Sequence, residues 1–183
     1  KDMANNSFWN EASRFGAVLG VVGVAFSLIG MAIPSLAFVA SLANFVATIY
    51  LLFYYTRRRA QRFTSEGYTY SQCLGFIVAM GIFAGIIAGA YQIVASNFLF
   101  PETFEQSLST TLSTLQQSGV YNNEMMDQMS SMMRTYIFSP IPALISSVVG
   151  SVLSFGFYGL FISIGTKCEP DIFDSNNADE EDE

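Results

Sequence analysis

Residues 74–100 read LGFIVAMGIFAGIIAGAYQIVASNFLF, a run with no Asp, Glu, Lys or Arg. A helix rises about 1.5 Å per residue and a bilayer's hydrocarbon core is about 30 Å thick, so about 20 apolar residues cross it. Three more charge-free runs, Gly16–Ile33, Ser35–Tyr55 and Ile137–Gly165, have the same character. Backbone polar groups inside lipid must be satisfied within the segment, which makes such runs helices. The reading is all-α: an integral-membrane four-helix bundle.

The expected spans are about 15–33, 35–55, 72–100 and 138–165. Together with the segment 101–136 they form one membrane domain over 1–168, followed by an acidic, disordered tail at 169–183. From Gly16 to Tyr55 the apolar character hardly breaks, yet one helix of that length would overshoot the bilayer about twofold. Pro34 marks the turn, and Ser35 is the expected cap of the returning helix. Asn5-Asn6-Ser7 offers caps ahead of Phe8-Trp9, aromatics suited to an interface. Lys1-Asp2 before Met3 reads as the remnant of a cleaved tag. Ser35-Leu36-Ala37 faintly resembles a signal cleavage site, but the run before it is longer than a signal core.

Beyond Pro101, Phe104, Leu108, Leu112 and Leu115 recur at three- and four-residue spacing, describing an amphipathic helix that Gly119 ends. A second helix is expected from Asn122-Asn123, carrying a run of methionines. Pro140 and Pro142 suit the first turn of the last span.

At 183 residues the chain leaves no room for a soluble catalytic domain beside four spans, and its lack of histidine excludes His-based metal sites and proton shuttles. No nucleophile elbow, phosphate loop or zinc-ligand pair occurs, so no enzyme, cofactor or nucleic-acid partner is expected. The net charge of −7 is set by the tail, since eight of the fifteen acids lie in Glu169–Glu183. With both ends inside, seven basic residues (Lys1, Arg14, Arg57, Arg58, Arg59, Arg62 and Lys167) face the cytoplasm and only Arg134 faces outward. Both termini are therefore expected in the cytoplasm, and the helices in 101–136 outside it. Cys73 and Cys168 then lie on the reducing side, where no structural disulfide is expected.

Four features are candidates for function. The loop residues Arg57, Arg58, Arg59 and Arg62 set topology and offer contacts to anionic lipid or an acidic partner. Gly16, Gly20, Gly81, Gly85, Gly89 and Gly150 allow close helix approach, within one chain in preference to a homo-oligomer seam. Asn44 and Gln92 are the costliest polar groups in the spans, and they serve either an interhelical hydrogen bond or a polar substrate pocket. Met125, Met129 and Met133 place thioethers on one helical side, where soft ligands capture Cu(I), although methionine is also a flexible apolar filler.

The motif Phe8-Trp9-Asn10-Glu11-Ala12-Ser13-Arg14-Phe15-Gly16, the basic loop, and Gly67-Tyr68-Thr69-Tyr70-Ser71-Gln72 before a glycine-rich span resemble a family of Bacteroidota inner-membrane proteins. That family is catalogued as domain of unknown function 4199. Pro101-Glu102, the Gln- and Met-bearing segment and the Gly- and Ser-rich last span extend the likeness. The resemblance implies four spans in a bacterial inner membrane, with no activity or site residues to transfer. It also implies proximity to a polyprenyl-phosphate glycosyltransferase that such a protein would anchor or assist. The expected role is a non-enzymatic accessory or scaffold protein. A small carrier or channel using Asn44, Gln92 and the groove beside Gly81, Gly85 and Gly89 is the alternative, and a Met-rich metal-binding or sensing protein the third.

Overall fold

The computed structural model describes residues 2–63, 67–117, 119 and 122–167, with side chains from Ser7 onward. Its helices are α1 (Asp2–Ala32), α2 (Ala37–Ala60), α3 (Tyr70–Val94), α4 (Pro101–Gln117), α5 (Asn123–Phe138) and α6 (Pro140–Thr166). Four stretches, Ser7–Ala32, Pro34–Phe63, Tyr70–Leu99 and Pro140–Thr166, are long and apolar enough to cross a membrane. The chain is thus an all-α helical membrane bundle. The acidic tail, Cys168 and Ser65-Glu66 lie outside the described residues.

The turn at Pro34 forms as its chemistry requires. Ile33, the residue before proline, leaves the helix with φ −130° and ψ 88°, and Pro34–Leu36 makes one tight turn closed by Leu36 N–H to Ile33 O at 2.9 Å. That turn runs directly into α2, so Ser35 does not act as its cap. Asn5-Asn6-Ser7 is likewise no cap, because α1 starts at Asp2 and continues through it. The extra length carries Phe8 and Glu11 on the helix itself.

The far end of α3 widens into a π-helical turn over Ala95–Leu99. This brings Ser96 and Asn97 to the α5–α6 junction. Pro142 has no N–H to offer Phe138 O, and Asn97 Nδ2 donates to that carbonyl at 3.3 Å. Ser96 Oγ donates to Ile137 O at 3.1 Å. Two polar residues of an apolar span are thereby assigned to backbone satisfaction. Next to this junction α4 and α5 lie against each other, with Phe104, Leu108, Met133 and Ile137 in their seam. Gly119 takes φ +68° between them, a conformation that suits glycine. Asn122 Oδ1 caps α5 by accepting from Met125 N–H at 2.9 Å.

Helix α3 is the centre of the bundle, with α1 on one side and α6 on the other. A Cβ built on Gly85 would fall 2.7 Å from Val148 Cα, and one on Gly89 2.8 Å from Leu144 Cδ1. Gly81 faces Phe155 in the same way, so the three α3 glycines receive side chains of α6. On the other side Gly16 and Gly20 of α1 receive Met80, Phe83 and Ile87 of α3. The glycines of spans 1 and 3 therefore do not meet one another. Each set is a hollow for larger residues on the opposite helix. Gly150 departs from its expected packing role, since among the described residues no atom lies within 4 Å of a Cβ built there.

Helix α2 is the least enclosed span. Four of its five buried residues (Leu52, Thr56, Arg59 and Ala60) sit in its second half, the other being Ala40. At that end Leu52 joins Phe76, Ile77, Met80 and Ile162 in the core, and Phe15 stacks on Tyr55 with centroids 4.2 Å apart. Toward its start Phe38, Val39, Leu42 and Val46 are exposed and suited to lipid. Helix α2 is tied into the bundle at its arginine-bearing end and stands away from α6 toward its start.

Gly85→Val is expected to destabilise the bundle by about 1–3 kcal/mol through overpacking against Val148, whereas Gly150→Ala is expected to be neutral. Thermal unfolding midpoints of the two variants in detergent would separate these outcomes.

Candidate functional site

Polar chemistry gathers at two places, one at each end of α2. At the arginine-bearing end, Arg59 turns inward and is only 5% exposed. It does not belong to the lipid- or partner-facing surface expected of the loop. Its Nη1 donates to Glu11 Oε2, and its Nε donates to Tyr68 Oη at 3.1 Å. The rings of Phe8, Phe63 and Phe76 surround the guanidinium with centroids 4.9 to 5.3 Å from its carbon. Weak hydration and planarity make guanidinium the cation best suited to such an aromatic enclosure. Arg62 Nη1 binds the other carboxylate oxygen of Glu11 at 2.6 Å while staying half exposed.

Burial pushes the Tyr68 phenol above its usual value, and the Arg59 charge opposes the shift. The phenol stays protonated at neutral pH, accepting from Arg59 and donating to Gln72 O at 3.4 Å. A raised folded value means its stabilising share is present below pH about 10 and is lost as pH climbs through the folded value. Together these contacts fasten the loop between α2 and α3 to α1. The signal in the sequence was modest: Glu11 is the only acid between Met3 and Ser65, a stretch that holds five arginines.

At the opposite end a cleft of about 680 Å³ opens between α1, α2 and α3. Ser27 of α1, Ser41 and Asn44 of α2, Tyr91 and Gln92 of α3, and Ser147 of α6 bring polar atoms to its walls, and Phe104 of α4 lies at its rim. Asn44 and Gln92 thus share one cavity. It is not the groove beside Gly81, Gly85 and Gly89, because α6 fills that groove. Some of the lining is already engaged, with Ser147 Oγ donating to Gly85 O at 3.1 Å and Tyr91 Oη to Met31 Sδ at 3.6 Å. Asn44 Oδ1 is buried and has no partner among the described residues. An acceptor withdrawn from water and left unpaired costs about 1–3 kcal/mol, and Thr56 Oγ1 and Ser163 Oγ at the packed end are buried in the same way. Oδ1 faces α1, where a Cβ built on Gly23 would meet it at 3.9 Å, an ordinary contact.

The methionines form no comparable centre. Met125 is exposed, whereas Met133 lies in the α4–α5 seam with Leu108 and Tyr136 as apolar filling. Among the described residues no cluster of His, Cys, Asp or Glu has metal-binding geometry.

A family model described as protein of unknown function (DUF4199) matches residues 14–166. The chain belongs to that family. No curated protein and no solved structure matches it. In this DUF4199 protein the matched region holds all of the cleft and Arg59, while Phe8 and Glu11, which enclose Arg59 from α1, fall just before it.

Glu11→Ala would leave Arg59 buried without its counter-ion, and the expected loss is about 3–5 kcal/mol. The double change Glu11→Leu with Arg59→Met should recover most of it, and Arg58→Gln should matter little. Unfolding midpoints in one detergent, compared across the three variants, check this ordering.

Proposed function

We propose that this protein acts by binding and not by bond-making chemistry, holding an uncharged hydrogen-bonding molecule within the membrane in the cleft around Asn44. The convergence of Ser27, Ser41, Asn44, Tyr91 and Gln92 from three helices on one cavity carries this reading. Cavities of this size with a few convergent polar groups on largely apolar walls are the usual form of small-molecule sites. Among the described residues no charged one lines the cleft, which favours a neutral ligand over an ion and a carrier or binding protein over an ion channel. In this proposal the arginine-bearing end faces the cytoplasm of a bacterial inner membrane, as the distribution of basic residues favours, and the cleft opens at the outer face.

A second reading, an accessory or scaffold role, draws on the outward side chains of the loop. Arg57 and Arg58 are exposed, and the described ion pairs of Glu11 involve only Arg59 and Arg62. Two cations beside a membrane surface attract lipid phosphates or an acidic partner, such as a peripheral glycosyltransferase, at about 1 kcal/mol per charge. Exchanging both for Gln should abolish co-purification of such a partner from native membranes in mild detergent. Its persistence would argue against the loop as the contact.

For the cleft, cysteines introduced at Ser27 and Ser41 in a background lacking the native cysteines should react with a charged, membrane-impermeant maleimide. Val46→Cys, 59% exposed and suited to lipid, should not react. Unreactive cysteines at both cleft positions in the reconstituted protein would overturn the proposal.

A further inference from the structure

The cleft does not end at Asn44. A second hollow of about 440 Å³ continues from it between α2 and α6, and the two share Ser41, Asn44 and Ser147. Its α2 wall carries Ser41, Asn44 and Thr48, and its α6 wall carries Ser147, Ser151, Ser154 and Tyr158. Spacings of three and four residues put each set on one face of its helix. Two polar stripes therefore oppose each other on helices that are otherwise apolar. From Ser147 to Tyr158 the track descends about 16 Å, about half the hydrocarbon thickness.

The track is open toward lipid along its length. Ser154 and Gly150 are exposed, and apolar side chains suited to lipid border them, with Val149 at 51% and Leu153 at 68% exposure. Gly150, with nothing near a built Cβ, keeps the wall thin. Below Tyr158 the track is sealed, because Leu52, Thr56, Ile162 and Ser163 are buried and Phe53 Cε2 lies 3.6 Å from a Cβ built on Gly165. At its floor Phe45 and Tyr158 pair edge to face with centroids 5.7 Å apart.

Resting on the cleft as a binding site, we propose that its ligand is an amphipath with an uncharged, polyhydroxylated head, which enters sideways between α2 and α6 with its tail left in the bilayer. Facing hydroxyl and amide groups supply both donors and acceptors to such a head. Neither hollow has a Lys or Arg in its lining, so a phosphate head would be desolvated without a counter-ion. A freely soluble polyol would need no lateral opening. The sealed end lets the head reach mid-membrane and no further in this conformation.

The test uses the full chain in phosphatidylcholine nanodiscs with single cysteines in the background lacking native ones. Ser154→Cys should react with the impermeant maleimide while its neighbour Leu153→Cys does not. Glucosyl diacylglycerol in the disc should slow the Ser154→Cys reaction several-fold, and phosphatidylglycerol or free glucose should not. Equal protection by phosphatidylglycerol, protection by free glucose, or no protection by the glycolipid would each overturn the proposal. An unreactive Ser154→Cys beside a reactive Ser41→Cys would overturn lateral entry while leaving the cleft reading intact. With the unaltered protein, native mass spectrometry from the same discs should retain the glycolipid in preference to phosphatidylglycerol. Asn44→Leu should reduce that retention about three- to tenfold, the worth of one buried hydrogen bond, and unchanged retention would remove Asn44 from the site.

Discussion

Apolar side chains gain little by leaving lipid for one another, so a bundle in hydrocarbon is held by how closely its helices pack. Here that constraint falls on α3. Its glycines admit Leu144, Val148 and Phe155 of α6, while its own Met80, Phe83 and Ile87 fill the hollows at Gly16 and Gly20 of α1. Both flanking helices are thus placed by α3. Over its first half α2 packs on α1, where Gly30 lies against Ala37 and Ala40, but no such hollow draws it toward α6, and its side chains toward lipid are large and exposed.

The position of α2 follows from what happens at its other end. There Arg59, enclosed by three aromatic rings and held by Glu11 and Tyr68, joins α1, α2 and the approach to α3 in one buried contact. A buried ion pair is no strong source of stability compared with apolar packing, but it has little freedom to slide. Fastening one end of a helix whose other end packs on α1 but not on α6 leaves a wedge-shaped gap between α2 and α6. The cleft at Asn44 and the track toward Tyr158 occupy that gap, so the arginine cluster and the polar cavity are two results of one arrangement.

The helical content, the break at Pro34, the seat of Pro140 and Pro142 in a first turn and the start of α5 at Asn122-Asn123 were all legible from local chemistry, because each depends on a few consecutive residues. Ser35 misled because a tight turn can run straight into a helix without a side-chain cap. Arg59 misled because loop position was taken to mean exposure, whereas a residue in the last helical turn points wherever the helix phase sends it. Gly150 misled for a related reason: glycine spacing marks a face able to pack, but not whether a neighbour arrives. Asn44 and Gln92 were visible as costly intramembrane groups. That they line one cavity, while Asn97 instead satisfies the carbonyl Pro142 leaves open, depends on helix rotation and on a π-helical turn that composition does not announce.

Hydropathy, charge placement and proline alone determined that four helices sit in lipid and where they turn, since the cost of burying a charge or an unpaired backbone group is paid residue by residue. Which faces meet was decided only in three dimensions, because packing in lipid is a fit between surfaces of different helices and no single segment encodes its partner. The tertiary structure turned one arginine of four inward, closed α3 between α1 and α6, and left α2 standing away from α6 with a row of hydroxyls between them.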